Sequence, residues 1–408
     1  MIVFLQIAVI LAVSAAMRRV VAPFRQPAVI GEMLAGISLG PSLLGWISPG
    51  LFAALFPPPS LPSLNALSQI GLVLFMFGVG LRIGTPYSGP TRRVALVTSI
   101  VSIAVPFVLG AWLATALHER LAPAGVSVLP FSLFIGAAMS ITAFPVLARL
   151  LLDRNLLTTD LGRIAISCAA FDDVTGWLIL AAVMMLMGHE GGPSPIVRVV
   201  LLVLYLAVML VVVRPVVRML ARPQSEGDDL IVPLLVLLLS AVATEWVGIH
   251  ALFGAFFAGT VMPRDSHVER RFVERVEPLT MTLLLPVFFA FTGLRTSIQL
   301  IDSAPLWADA AMILVVAVAG KAGASTLAAR ASGVPWREAA ALGALLNTRG
   351  LIELVILTIG LERGVLSPTI FSMMVLMAIV TTCMTSPIVG ALVPGDPRGA
   401  GARPAGVA

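Results

Sequence analysis

The run AAFDDVTGWLILAAVMML, residues 169–186, sets two adjacent aspartates, Asp172 and Asp173, inside an otherwise apolar stretch. Charge is costly in hydrocarbon, so such groups face a bundle interior or a water-filled cavity and by default mark function. On a helix, neighbouring side chains diverge by about 100°, and two adjacent aspartates cannot both face one partner. Two negative charges so close also favour reversible protonation of one of them. A helix-cap role fails on position, because Asp172 lies twelve residues into the apolar segment 160–187.

The rest of the chain is equally apolar. Of 408 residues, 59% are hydrophobic and 12% charged, and the mean hydropathy is +1.02. Soluble domains carry about 25% charged residues. Apolar blocks long enough to span a bilayer recur from end to end. They are solid blocks, not the short alternating segments of a β-barrel. The expected fold is an all-α polytopic membrane protein with about 13 transmembrane helices. The segments are 1–17, 27–46, 66–83, 94–117, 130–151, 160–187, 195–221, 229–247, 249–262, 278–298, 306–330, 337–360 and 368–393. The first resembles a signal peptide but lacks a basic leading region and is read as an uncleaved span. Residues 394–408 read as a disordered tail rich in Gly, Pro and Arg.

The arginines orient these spans. Eighteen lie in or beside loops that follow odd-numbered segments, against four, Arg120, Arg198, Arg295 and Arg363, after even-numbered ones. The positive-inside bias then puts the N-terminus outside and the C-terminus in the cytoplasm of a plasma (inner) membrane protein. The same scatter explains the net charge of +5 without nucleic acid. Cys168 and Cys383 sit in apolar segments and form no disulfide framework. No metal-ligand spacing or phosphate-binding loop is present, so no cofactor is expected.

Short matches recur in one order. GEMLAG (31–36) pairs with GAFFAG (254–259), GVGLR (78–82) with FTGLR (291–295), and LDRNLL (152–157) with LERGVL (361–366). They relate segments two to six to segments nine to thirteen. The offset is seven spans, an odd number, which makes the five-helix repeats inverted, as in many secondary transporters.

Six ionisable groups lie well inside spans: Glu32, Asp172, Asp173, Lys321, Arg349 and Glu353. Asp173 is at the midpoint of 160–187, and Lys321 lies roughly 5 Å along the axis from the midpoint of its own span. Corresponding spans of opposite halves can bring them together at the midplane. Lys321 is the only lysine among 26 basic residues. Lysine, unlike arginine, can lose its proton when buried, which suits proton chemistry. It can equally just neutralise a buried aspartate. Arg349 and Glu353 are placed to pair at i, i+4, and Glu32 can bond nearby backbone.

Two mid-span stretches carry helix-breaking chemistry. MSITAFPVLAR (139–149) has Ser140, Thr142 and Pro145, and LLNTRGLIE (345–353) has Asn347, Thr348 and Gly350. Proline removes a backbone donor and glycine tolerates unwinding. Interrupted helices in corresponding positions of two repeats point to an ion site.

SITAFPVLARLL, FDDVTGW, GKAGAS and LNTRGLIELVIL, with QPAVIGEMLAGISLGPSLLG (26–45), resemble in this order the monovalent cation:proton antiporter-2 family. That family includes Kef-type potassium systems, plant cation/proton exchangers and bacterial sodium/proton antiporters. The resemblance implies two crossed, partly unwound helices, here 130–151 and 337–360. It implies Asp173 as cation or proton carrier and Asp172 as the partner of Lys321. It also implies a moving core, 94–187 plus 306–393, and a dimerising scaffold, 1–84 plus 229–298, joined by 195–221. Unlike Kef systems, no nucleotide-sensing domain is expected, and unlike plant exchangers, no long cytosolic tail is expected.

The expected function is secondary exchange of Na⁺ or K⁺ for H⁺ in the lipid bilayer by a homodimer. Carboxylates, hydroxyls such as those of Thr142 and Ser140, and carbonyls freed by broken helices would supply the oxygens. Asn347, Thr348, Arg349, Glu353 and Glu32 would support them. The rivals are a cation channel and a non-transporting sensor. An aspartyl protease needs carboxylates facing one shared water. Neighbours on one helix diverge, so no enzyme is expected.

Overall fold

The structure, a computed structural model, describes residues 2–24, 26–82, 92–154, 156, 159–187, 195–220, 230–247, 250–263 and 267–393. The tail 394–408 and the 188–194 loop lie outside the described residues. All described regular structure is helical, as a bilayer demands when every backbone group must find its partner within the protein.

Among the described residues, nine helices are long and apolar enough to cross a membrane. Thirteen spans were expected, and the remaining four have a common physical cause: their helices are short. Two are Ile231–Val247 and Ala251–Val261. The others are broken in mid-span, one into Val128–Ser140 and Phe144–Asp153, the other into Trp336–Leu346 and Leu351–Glu362.

The chain forms two compact units. One comprises Met1–Val20, Gly31–Thr85 and Trp177–Ser297, and the other Val21–Ile30, Pro86–Gly176 and Ile298–Ala408. The segment 195–221 groups with the first unit, and the helix Asp160–Met187 contributes to both.

In the first unit, the glycines of the matched motifs are crossing points. A Cβ on Gly36 would stand 2.1 Å from the Ala290 carbonyl oxygen, and one on Gly293 would stand 2.6 Å from that of Met33. Gly80 meets Phe256 in the same way, at 2.1 Å, and Gly259 meets Phe77 at 2.3 Å. Thus GEMLAG lies on FTGLR, and GVGLR on GAFFAG. Close backbone approach through small residues is how helices pack in lipid, where water drives nothing together. Glu32 belongs to this unit, 6% exposed, with one carboxylate oxygen 3.6 Å from Arg18 Nη1.

In the second unit, Arg92–Leu121 packs along Val128–Ser140, again through a glycine: a Cβ on Gly136 would stand 2.8 Å from the Phe107 oxygen. A buried cluster including Leu147, Leu151, Ala165, Cys168, Leu342 and Leu345 fixes the broken helices against Asp160–Met187.

Candidate functional site

Asp172 and Asp173 stand near the middle of Asp160–Met187, 0% and 3% exposed. Their environments differ, as expected of side chains that diverge. Asp172 is fully bonded. Its Oδ2 lies 2.9 Å from Lys321 Nζ and accepts from the Thr142 hydroxyl at 2.6 Å and the Ser102 hydroxyl at 3.2 Å. Asp173 has an oxygen, Oδ1, with no hydrogen-bond partner among the described residues. Its backbone contact is the N–H of Phe144.

Lys321 is 0% exposed and sits in a π-helical turn, Ala319–Gly323, that interrupts its α-helix. Such turns are common at functional sites. Three acceptors converge on Nζ: Asp172 Oδ2 at 2.9 Å, the Ser102 carbonyl at 2.9 Å, and the Ser140 carbonyl. An ammonium has three donors and no acceptor, so the cage fits the charged form.

Sequence explains why those carbonyls are available. Pro106 lies inside Arg92–Leu121 and has no N–H to give to the residue four positions earlier, which is Ser102. The Ser140 carbonyl is freed because its helix ends there, the next residue, Ile141, being extended. The Ser140 hydroxyl turns back to the Ala137 carbonyl at 2.8 Å, so Ser140 acts here through its backbone.

The two breaks cross. The N–H of Ala143 donates to the Thr348 carbonyl at 3.0 Å, and the Thr142 hydroxyl is 2.9 Å from the Leu346 carbonyl. Thr142 has one hydroxyl proton to divide between Leu346 and Asp172, which couples the crossing to the ion pair. Thr348 bonds its own helix end, the Leu345 carbonyl, at 2.8 Å. The Asn347 side-chain oxygen is buried with no partner among the described residues.

Each broken end meets a complementary charge. Arg349 donates to the Ala138 carbonyl at 3.1 Å and the Met139 carbonyl at 2.9 Å, at the negative end of Val128–Ser140. Its Nη1 is 3.5 Å from Glu353 Oε1. Glu353 stands in the first turn of Leu351–Glu362, where a helix favours a negative group. Asp173 meets the N-terminal end of Phe144–Asp153 through the Phe144 N–H. Thus Asp172, Asp173, Lys321, Thr142, Ser140, Asn347, Thr348, Arg349 and Glu353 all lie in the second unit, and Glu32 lies in the first.

Four contributors escape a reading of sequence alone. Ser102 and Pro106 furnish the lysine cage. Thr382 holds the unwound Arg349 on both sides, accepting from its N–H at 2.9 Å and donating to its carbonyl at 2.8 Å. Thr385 donates to the Ala344 carbonyl at 3.1 Å. The signals were present, a serine four residues before a mid-span proline and the polar run TTCMTS (381–386) within a span.

The arrangement offers oxygen chemistry throughout: a carboxylate with an open oxygen, beside hydroxyls and carbonyls released by broken helices. Hard cations take such ligands. The same carboxylate oxygen can take a proton instead.

Comparison with known proteins agrees with this chemistry. Residues 8–393 match the family described as "Sodium/hydrogen exchanger, transmembrane". The chain is 43% identical to the Na(+)/H(+) antiporter NhaS4 of Synechocystis sp. over 91% of its length and 92% of that protein. It is 41% identical to Cation/H(+) antiporter 17 of Arabidopsis thaliana, covering 94% of this chain and 47% of the relative. The K(+)/H(+) antiporter 1 of Saccharomyces cerevisiae is 34% identical, with 92% of this chain and 44% of that protein aligned. The chain therefore spans about half the length of these plant and yeast relatives. In fold it resembles the sodium proton antiporter MjNhaP1 of Methanocaldococcus jannaschii at pH 8, with a TM-score of 0.65 and 14% identity over 96% of this chain and 97% of the other.

Proposed function

This chain belongs to the sodium/hydrogen exchanger family, and from that membership we propose that it is a secondary antiporter exchanging Na⁺ or K⁺ for H⁺. The family consists of transporters rather than enzymes. The observation that carries the proposal is the division of labour between the aspartates. Lys321 occupies Asp172, so Asp173 keeps an open, buried oxygen beside two crossed helix breaks. That oxygen takes a cation or a proton in competition, and Asp173 is the carrier. Asp172 with Lys321 is the coupled pair beside it, and Thr142 supplies a hydroxyl. Relatives named as antiporters favour exchange over the channel and sensor readings.

Alternating access would move a core of 94–187 plus 306–393 against a scaffold of 1–84 plus 229–298, with 195–221 between them and the scaffold as homodimer contact. Glycine-mediated crossings in the matched motifs support the inverted-repeat reading of the 13 spans. The functional test is dequenching of a ΔpH dye in proteoliposomes on adding Na⁺, K⁺, Li⁺ or Rb⁺ in turn. One or more should dequench, and the pattern ranks the ions. A flat response to all four defeats the proposal.

Orientation has its own test. The arginine asymmetry favours a plasma membrane protein with its N-terminus outside and its C-terminus in the cytoplasm. Cysteines placed at Arg92, Arg154 and Arg270 should resist an impermeant thiol reagent in intact cells, in a background lacking Cys168 and Cys383. Labelling at position 154 from outside would reverse the topology.

A further inference from the structure

The connection between the first two helices does not stay with them. Ile2–Val21 and Ala28–Leu39 lie largely in the first unit, yet Val21–Ile30 groups with the second. The chain leaves the first unit after Val20, joins the second, and returns at Gly31. Part of this connection is Ala22–Phe24, a single 3-10 turn with no buried residue, in which Phe24 is 70% exposed. Pro23 and Pro27 restrict the backbone on either side of Gln26. Gln26 reaches across: its Nε2 donates to the Cys383 carbonyl at 3.1 Å.

That carbonyl is available for the same reason as the carbonyl of Ser102. Pro387 lies inside Pro368–Leu392, four residues after Cys383, and has no N–H to return to it. The end of this helix does not depend on Gln26 for support. Arg154 donates to the Ser386 carbonyl and, at 3.0 Å, to the Ser386 hydroxyl. Gly390 makes room for the guanidinium, since a Cβ there would stand 2.7 Å from Arg154 Nη1. A cavity of about 460 Å³ is lined by Pro23, Phe24 and Gln26 of the connection and by Arg154, Pro387 and Gly390, all in the second unit. At this point the connection is therefore held by a hydrogen bond more than by close packing. Segments with few packed contacts are the ones that open at low cost.

We propose that residues 21–30 form a strap, latched to the second unit by the bond from Gln26 to the carbonyl that Pro387 frees, and that this latch opens in each transport cycle. The inference rests on the alternating-access reading and goes beyond it. A segment bonded to one unit and continuous in chain with the other is pulled by any movement between them, so it must bend or let go. Two prolines stiffen it. The single hydrogen bond is half-exposed, and water can take its place, so the bond is what yields. The latch thus favours the state in which it is closed and slows departure from that state. Gln26 is a positioning residue, acting on the movement and not on the cation or the proton.

Cys383 supplies one end of the test. Gln26→Cys sets a second thiol beside it, while Cys168, 0% exposed, stays out of reach. A short, flexible bifunctional methanethiosulfonate should bridge positions 26 and 383. In proteoliposomes, bridging should cut cation-driven proton movement about tenfold or more, and a reducing agent should restore it. The monofunctional reagent on the same variant should leave most of the rate. Full exchange in bridged protein means that the strap rides with the second unit, and it overturns the proposal. So does a pair that cannot be bridged, or an equal loss with the monofunctional reagent. Two more variants act on the bond from opposite ends. Gln26→Leu removes the donor, and Pro387→Ala returns a helical N–H to the carbonyl. Each should raise the maximal rate about fivefold, the weight of one hydrogen bond, and the two together should add little. No gain in Gln26→Leu, or gains that add fully in the double variant, overturn the latch and leave antiport intact. Untreated wild-type protein that moves no protons with any of the four cations overturns the antiport reading and the strap with it.

Discussion

Asp173→Asn stops cation-driven proton movement while the protein still folds. Asparagine has the size of aspartate but neither its charge nor its exchangeable proton, so it serves neither half of the cycle. Folding should survive for a structural reason. Asp173 is in no ion pair among the described residues, and its Oδ1 makes no hydrogen bond among them. Removing a buried charge with so few bonds relieves desolvation, so thermal stability in detergent should hold or rise. The exchange rate in proteoliposomes should fall below about one hundredth of wild type, the scale on which loss of a positioned proton-transfer group is felt. Asp173→Glu keeps the carboxylate but moves it by a methylene, and an intermediate rate is expected. Undiminished exchange in the Asn variant would remove Asp173 from the mechanism.

Lys321→Ala should act first on stability. It leaves Asp172 charged and buried without its cation, and it strips the Ser102 and Ser140 carbonyls of their donor. Removing one partner of a buried pair costs about 3–5 kcal/mol, because the other charge is left uncompensated. The thermal midpoint in detergent should fall accordingly. Lys321→Ala combined with Asp172→Asn should recover much of that loss, since the orphaned charge is then gone. A double variant no more stable than Lys321→Ala alone would mean that the pair is not what the lysine supports. Lys321→Arg keeps the charge, but a planar fork does not match three acceptors gathered around one nitrogen. It should be less stable and slower than wild type, though more stable than Lys321→Ala.

Much of this site is legible before any fold is known. A carboxylate pair in an apolar run and a single lysine mid-span stand out because charge is rare there. The mid-span Pro145 and the Asn347–Gly350 stretch mark breaks because those residues disrupt helices, and helices do end at Ser140 and Leu346. What escapes detection depends on backbone register. Pro106 looks like a kink, and only its position four residues after Ser102 reveals a freed carbonyl. Ala319–Gly323 is made of small residues around one lysine, and nothing local separates an α from a π turn there. Thr382 resembles any hydroxyl bonding its own helix until the Arg349 backbone is seen against it. The broken spans escape a search for long apolar helices for a related reason: each is as apolar as an intact one, but its two halves are separate short helices.

The central claim is that a cation and a proton compete for one carboxylate, Asp173. Calorimetric titration of the detergent-solubilised protein with its best-transported cation, repeated across a pH series, tests it most directly. Competition requires that, on the acid side, each unit drop in pH weaken apparent cation affinity about tenfold, with one proton released per cation bound. Asp173→Asn should bind no cation under the same conditions. An affinity that stays constant across the pH range where transport changes, or persists in the Asn variant, would contradict the account.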